Sequence, residues 1–356
     1  MAKVAVLRTS PGKVLDDYAK LMDLAEFKKA LPKNLPLLLK LNLSWSLYYP
    51  ACSTEPWQLE GVVAKLKEEG YKDIIPIENK TVVTDVWKGA KQNLWLKVFK
   101  RYGLKYHPLT DVKWVRYRPK HEMLALDKIY PGGHRIPEMF MGKSVCHFPT
   151  IKTHGHTTTT GAMKNAFGGL ITERRHHCHR AIHEVLVDLL QIQKEIHTGI
   201  FAVMDGTVAG DGAGPRTMIP RVANLILASE DQVAIDAVSA RIMGFDPMKI
   251  PYIKIAHDMG LGCGDVRQIE MVGDNVSRVN LHFSTGKSPV IFFDQLFRKK
   301  IKMIEPWLFH TGLFKLCILG SEWYHDKLWY PLIGKGRINK FMKTDWGKMW
   351  KKYQMA

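Results

Sequence analysis

Short apolar runs alternate with amphipathic stretches through about the first 275 residues, and each run predicts an element. Residues 4–7 read as a strand, 14–30 as a helix and 36–44 (PLLLKLNLS) as a buried strand that emerges into a polar loop. Thr54 stands where an N-cap would, Pro56 near the first helical position, and Leu59, Val62, Val63 and Leu66 share one face of the helix that follows. Gly70 stops it. Residues 73–78 (DIIPIE) form the next strand, and a lysine-rich helix is expected over 84–102. Strands at 144–149, 199–206 and 224–229 continue the series, interleaved with helices near 161–168, 181–197, 231–243 and 250–259. Such alternation predicts an α/β fold: a mostly parallel sheet with helices on both faces.

The pattern changes near residue 290. From there to the end the chain carries 13 Lys plus Arg against five Asp plus Glu, with five of its ten tryptophans: Trp307, Trp323, Trp329, Trp346 and Trp350. This divides the chain into an α/β core (1–289) and a helical, basic, Trp-rich C-terminal extension (290–356).

At 356 residues, with 46% hydrophobic residues and 24% charged, the chain can bury a sizeable core, which excludes wholesale disorder. Its formal net charge of +18 favours anionic partners. Five cysteines, widely spaced and without a CxxC pair, argue against a disulfide framework and against an all-Cys zinc or iron-sulfur site. The start, MAKVAVLRTSPGK, has no basic segment followed by an apolar one, so no signal peptide is expected. No apolar run approaches the roughly 18 residues of a spanning helix. A cytoplasmic protein is expected, with attachment to a membrane surface left open.

The stretch 149–170 (PTIKTHGHTTTTGAMKNAFGGL) is the most unusual in the chain. It follows a strand, is crowded with hydroxyl residues and glycine, and opens into a short helix that Thr159 or Thr160 can cap. The remaining N–H donors and the positive helix end then attract an anion. Lys152 and Lys164 converge there as cations, with His154 and Asn165 as neutral hydrogen-bonding groups. In 171–186 (ITERRHHCHRAIHEVL), helical geometry places His176, His179 and His183 within roughly a 60° sector, a candidate metal site with Cys178 and Glu173 near in sequence. In 199–215, Asp205 ends an apolar strand, where open α/β sheets expose their ligand crevice, and the loop containing Gly206 and Gly212 lets backbone approach a ligand. Asp236 shares a helix face with Val233, Ala240 and Met243, so its carboxylate needs a buried partner.

Taken together, KLNLS with its Thr-Glu-Pro helix start, PTIKTHGHTTTTGAMKNAFGG, VMDGTVAGDGAGP, ILASEDQVAIDAVSARIMGFDP and GLGCGD followed by IEMVG resemble the family catalogued as domain of unknown function 362, in order from about residue 36 to 275. The resemblance implies an α/β domain, in relatives often joined to a ferredoxin-like iron-sulfur module and found in anaerobic or redox-rich settings. It implies a site lined by Lys152, His154, Thr160, Lys164, Asn165, Asp205 and Asp236; Gly161, at the helix start, is expected among the cofactor-binding residues beside it. This chain lacks the cysteine-rich module, so no internal cluster is expected and any electron carrier is a separate ferredoxin-like protein. Its extra histidines at 176–183 exceed the family's pattern.

The expected function is an enzyme of redox or cofactor metabolism that holds an anionic small molecule, phosphate- or carboxylate-bearing. Lys152, His154, Lys164 and Asp205 act on it, with assistance from a divalent metal. The competing expectation is a non-catalytic metal- or cofactor-binding or assembly protein held at an anionic membrane surface by 290–356. Residues 79–121 hold 11 Lys plus Arg against two acids, but no nucleic-acid module accompanies them and a nucleic-acid partner is not expected.

Overall fold

The computed structural model describes residues 1–171, 175–299 and 311–356. The strands are β1 (Lys3–Arg8), β2 (Leu37–Lys40), β3 (Ile74–Glu78), β4 (His107–Pro108), β5 (Trp114–Tyr117), β6 (His134–Pro137), β7 (Ser144–His147), β8 (Thr150–His154), β9 (Thr158–Thr159), β10 (Ile200–Ala213), β11 (Thr217–Ser229) and β12 (Glu270–Gly273). A ten-stranded sheet runs in the order β12-β1-β11-β10-β7-β2-β3-β4, with β8 on β10 and β9 on β8, while β5 and β6 pair separately. The sheet is mostly parallel. Within it, β11 is antiparallel to both neighbours and β9 to β8.

Up to residue 299 the α-helices are α1 (Val14–Leu24), α2 (Phe27–Ala30), α3 (Pro56–Glu68), α4 (Val86–Gln92), α5 (Trp95–Arg101), α6 (Leu126–Ile129), α7 (Ala162–Leu170), α8 (Ile182–Ile196), α9 (Gln232–Met243), α10 (Pro251–Asp258) and α11 (Pro289–Lys299), and further helices follow between 314 and 355. The two-residue period of the strands sorts side chains into two apolar layers. Leu38, Val145, Ala202 and Met204 point into one, filled by α7 to α10. Leu37, Leu39, Cys146, Phe201 and Val203 point into the other, filled by α1, α3 and α5. Parity then puts Lys40 on the first face and Asp205 on the second.

Three local expectations are corrected. The cap before α3 is Glu55, not Thr54, whose hydroxyl accepts from Asn42 N (2.8 Å) and donates to Phe148 O (3.0 Å). The helix over 84–102 is two helices, because Leu94 adopts φ 62° between α4 and α5. The glycine-rich stretch after Asp205 is not a loop: β10 continues to Ala213 and returns as β11. A Cβ on Gly206 would lie 2.5 Å from Ile151, and one on Gly210 would lie 2.3 Å from Met218. These glycines let neighbouring side chains close over the strand.

The C-terminal helix Asp345–Met355 completes the second layer rather than standing apart from it. Trp346 donates to Asn224 Oδ1 (2.7 Å), Trp350 stacks on Tyr48, and Tyr353 donates to Glu60. Trp329 is buried against Trp45 and Tyr49, whereas Trp323 is exposed. Trp307 lies outside the described residues.

Candidate functional site

On the α7 side of the sheet lies a cavity of about 600 Å³. Its floor carries Lys40 and Glu78, the last residues of β2 and β3. Lys40 Nζ donates to Glu78 Oε1 (2.7 Å) and Leu41 O (2.6 Å) in a buried pair. Gly168 of α7 has Lys40 Nζ only 3.1 Å from where a Cβ would stand, so the helix can lie directly on the pair. Arg175 lines the cavity while its guanidinium donates to the carbonyls of Ile171 (2.5 Å) and Gly168 (2.6 Å), closing the carboxyl end of α7. Burial lowers its pKa to about 10. Lys164 and Arg216 add two further cations.

The roof is apolar. α11 supplies Val290, Ile291, Phe293 and Phe297, and the helix Phe314–Glu322 supplies Phe314 and Ile318. α11 is seated on the β8–β9 turn, where Ile291 lies 2.7 Å from the position of a Gly155 Cβ and Gln295 donates to Gly155 O (2.7 Å).

Of the residues singled out in the sequence, His154, Lys164 and Asn165 line this cavity, and Thr160 and Gly161 join those three around an adjoining hollow of about 60 Å³. Lys164 is half-buried; burial, with Lys152 and Arg175 repelling it, lowers its pKa to about 8. Asn165 Nδ2 donates to Lys40 O (2.9 Å). Its Oδ1 and Glu78 Oε2 are buried without a hydrogen-bond partner among the described residues. Lys152 stands behind the wall, donating to Asn42 Oδ1 (2.5 Å), Ser44 Oγ (3.2 Å) and Cys52 O (2.6 Å), and burial lowers its pKa to about 8. Burial also holds His154 well below the usual imidazole range, so it sits there neutral.

Other expectations do not meet at this cavity. The amino end of α7 is not open to an anion: Asp236, buried in α9, accepts from Ala162 N (2.6 Å) and Met163 N (3.1 Å). The buried partner it needs is a helix end. Burial raises its carboxyl to about 8. Gly161 adopts φ 114° and a Cβ there would lie 2.3 Å from Asp236, so glycine is required for this contact. The Thr160 hydroxyl donates to Thr150 O (3.1 Å) and ties β8 to the turn.

Asp205 lies on the opposite face. It accepts from Tyr18 (2.6 Å), Trp57 (3.2 Å), Thr207 N (3.0 Å) and Thr207 Oγ1 (2.9 Å), and lines neither hollow. The carbonyl of Gly212 accepts from Thr153 (2.8 Å).

The three histidines separate as well, because Arg175–Ala181 is a 3₁₀ turn and α8 begins only at Ile182. Three residues per turn bring His176 and His179 to the cavity wall. His183, on α8, stacks on Tyr252 instead. Cys178 is buried beside Tyr130 (3.5 Å), and Glu173 lies outside the described residues. His179 groups with His156, from the β8–β9 turn, and Asp294 of α11: their ligand atoms all lie within 4.8 Å of one another. Sequence reasoning passed over His156 and Asp294, although the His-x-His spacing of 154–156 was a signal. It also passed over Lys40 and Glu78, each the charged end of an apolar strand.

The model of the family described as Domain of unknown function (DUF362) matches residues 37–241. The chain belongs to that family. β2, β3, β8 and α7, which carry the floor of the cavity, fall inside the match, whereas α11 and the Phe314–Glu322 helix fall outside it. The chain is also 30% identical over 218 residues to a protein of Synechocystis sp. named as thylakoid-associated, an alignment covering 59% of this chain. It spans 63% of that relative's length. No solved structure matches the chain. Among the described residues, no helix is long and apolar enough to cross a membrane.

Proposed function

We propose that this member of the DUF362 family is an enzyme acting on an anionic small molecule, phosphate- or carboxylate-bearing, that also carries an apolar portion. The observation that carries the reading is the charge balance of the cavity. Among the described residues four cations, Lys40, Lys164, Arg175 and Arg216, line it against two carboxylates, Glu78 beside Lys40 and Asp294 on α11. Gathering cations away from bulk water costs several kcal/mol unless an anion compensates them. An amine lowered to about 8, as Lys164 is, can also exchange a proton with a bound substrate near neutral pH. The apolar roof supports a ligand with a hydrocarbon part. Titration calorimetry with inorganic pyrophosphate and with dodecyl phosphate tests this. Dodecyl phosphate binds the more tightly, and Lys164→Met weakens both about tenfold or more, equivalent to about 1.4 kcal/mol. Equal affinities for the wild-type protein and Lys164→Met would overturn the reading.

A second reading, compatible with the first, is attachment to a membrane surface, and one observation favours it. Phe293 (54% exposed) and Trp323 (60%) both line the cavity and face solvent, so its mouth opens on an apolar patch. Phe292, Leu316, Leu319 and Leu332 are exposed on the same helical segments, as are Lys315, Lys327 and Lys335. Each basic residue near an anionic bilayer contributes about 1 kcal/mol. The thylakoid-associated name of the relative points the same way. Deleting 290–356 would strip Trp346, Trp350 and Tyr353 from the core, so the informative variant is Leu316→Ser/Leu319→Ser/Trp323→Ser. The wild-type protein floats with phosphatidylglycerol vesicles and the variant does not. Equal flotation of the two, or of neither, removes the membrane reading.

A further inference from the structure

We infer that His156, His179 and Asp294 hold a divalent transition-metal ion of the zinc or iron(II) class on the wall of the cavity. Their ligand atoms fall within 4.8 Å of one another, and His156 Nε2 lies 3.5 Å from Asp294 Oδ2. An ion bound tetrahedrally at about 2.0–2.1 Å needs ligand atoms about 3.3–3.5 Å apart, so one pair is already spaced for it and the others need only small side-chain shifts. Two imidazoles and one carboxylate are the donor set of sites that keep coordination positions open for water or substrate.

The three residues come from three elements, the β8–β9 turn, the 3₁₀ turn 175–181 and α11, so no helix cap or i,i+4 pairing explains their meeting. The surroundings hold them in place. His156 N donates to His154 Nδ1 (3.1 Å), fixing the turn, and the His156 and His179 rings are parallel at 4.9 Å. Gln295, next to Asp294, anchors α11 to Gly155, next to His156. All three ligands line the cavity, so the open positions of the ion face the same space as Lys164.

The test is titration of chelator-stripped full-length protein with Co²⁺ and Zn²⁺, followed by visible absorption and by metal analysis after gel filtration, in buffer free of phosphate. The wild-type protein retains one equivalent and shows the d–d band of four- or five-coordinate Co²⁺. His179→Ala and Asp294→Asn bind at least about tenfold more weakly, while His183→Ala, on Tyr252 and away from the wall, binds as the wild type does. Thermal unfolding of the metal-free proteins shows that the variants are folded, and Asp294→Asn keeps the shape of the side chain if His179→Ala is not. Absence of a bound equivalent in the wild-type protein, leaving His156 and Asp294 as an ion pair only, overturns the inference, as does undiminished binding by Asp294→Asn. Because no phosphate is present, anion binding can fail while this inference stands, and the reverse.

Discussion

Asp205 and Lys164 sit on opposite faces of one sheet, and each poses the problem of an ionisable group withdrawn from water. At Asp205 the protein supplies the whole answer. Four donors from Tyr18, Trp57 and Thr207 meet its two oxygens, and burial raises the carboxyl only to about 6 against their pull. Lys164 has the ring of Phe167 at 5.4 Å, two cations that repel it, and a cavity. Close by, Glu78 Oε2 and Asn165 Oδ1 are buried and have no hydrogen-bond partner among the described residues. A buried charge whose valences are filled from within holds elements together. One that faces a hollow among unmatched neighbours is arranged for something from outside.

The sharpest way to break that comparison is to remove each group in turn. Asp205→Ala takes the acceptor from the buried Tyr18 hydroxyl and Thr207 donors, leaves the Trp57 N–H only the Thr207 hydroxyl (3.1 Å), and should cost about 3–5 kcal/mol of folding stability. Lys164→Met exchanges an ammonium for an apolar chain of similar length beside Phe167 and should leave stability equal or slightly higher, since replacing a poorly compensated, half-buried charge is often neutral or favourable. Urea unfolding followed by circular dichroism measures both. If Lys164→Met proves the more damaging of the two, the division between strut and site is wrong.

Much of this was legible in the sequence. The strand order was not, but β1, β2, β3, β7, β10 and β11 were placed, because apolar runs bounded by charge and glycine specify burial on both faces; the short β4, β5, β6, β8, β9 and β12 carry no such run and were not placed. Period-two parity within those runs already separates Lys40 from Asp205 once the sheet is assembled. Lys164, Asn165 and His154 were legible because a short segment crowded with unlike polar groups has no purely structural use for all of them. What failed was contact between distant parts of the chain. That Asp236 would fill the amino end of α7 depends on how α9 packs, and Asp294 reaches the cavity only because α11 lies on the β8–β9 turn. The histidines were misjudged for a local reason: a helical projection at 100° per residue was applied to a 3₁₀ turn, which superposes every third residue instead.

A smaller effect sharpens the comparison by its sign. Burial lowers Lys152 and Lys164 from the ordinary 10.5 to about 8, so in the free protein both amines lose their charge as pH rises above about 8. An anionic ligand needs the ammonium form, so pyrophosphate affinity measured by calorimetry from pH 7 to 9.5 should fall above about pH 8. The fall is at most about one log unit per pH unit for each lysine that must be protonated. Folding stability moves the other way. Between about 8 and 10.5 the unfolded lysine binds a proton that the folded one does not, so this contribution to stability rises with pH. Subtracting the Lys164→Met profile separates the lysine's contribution from that of the tyrosines that titrate higher. Affinity falling while the wild-type stability gains on Lys164→Met is the signature of a cation withdrawn from water to meet an anion. An affinity independent of pH across this window would mean that the bound anion is held elsewhere.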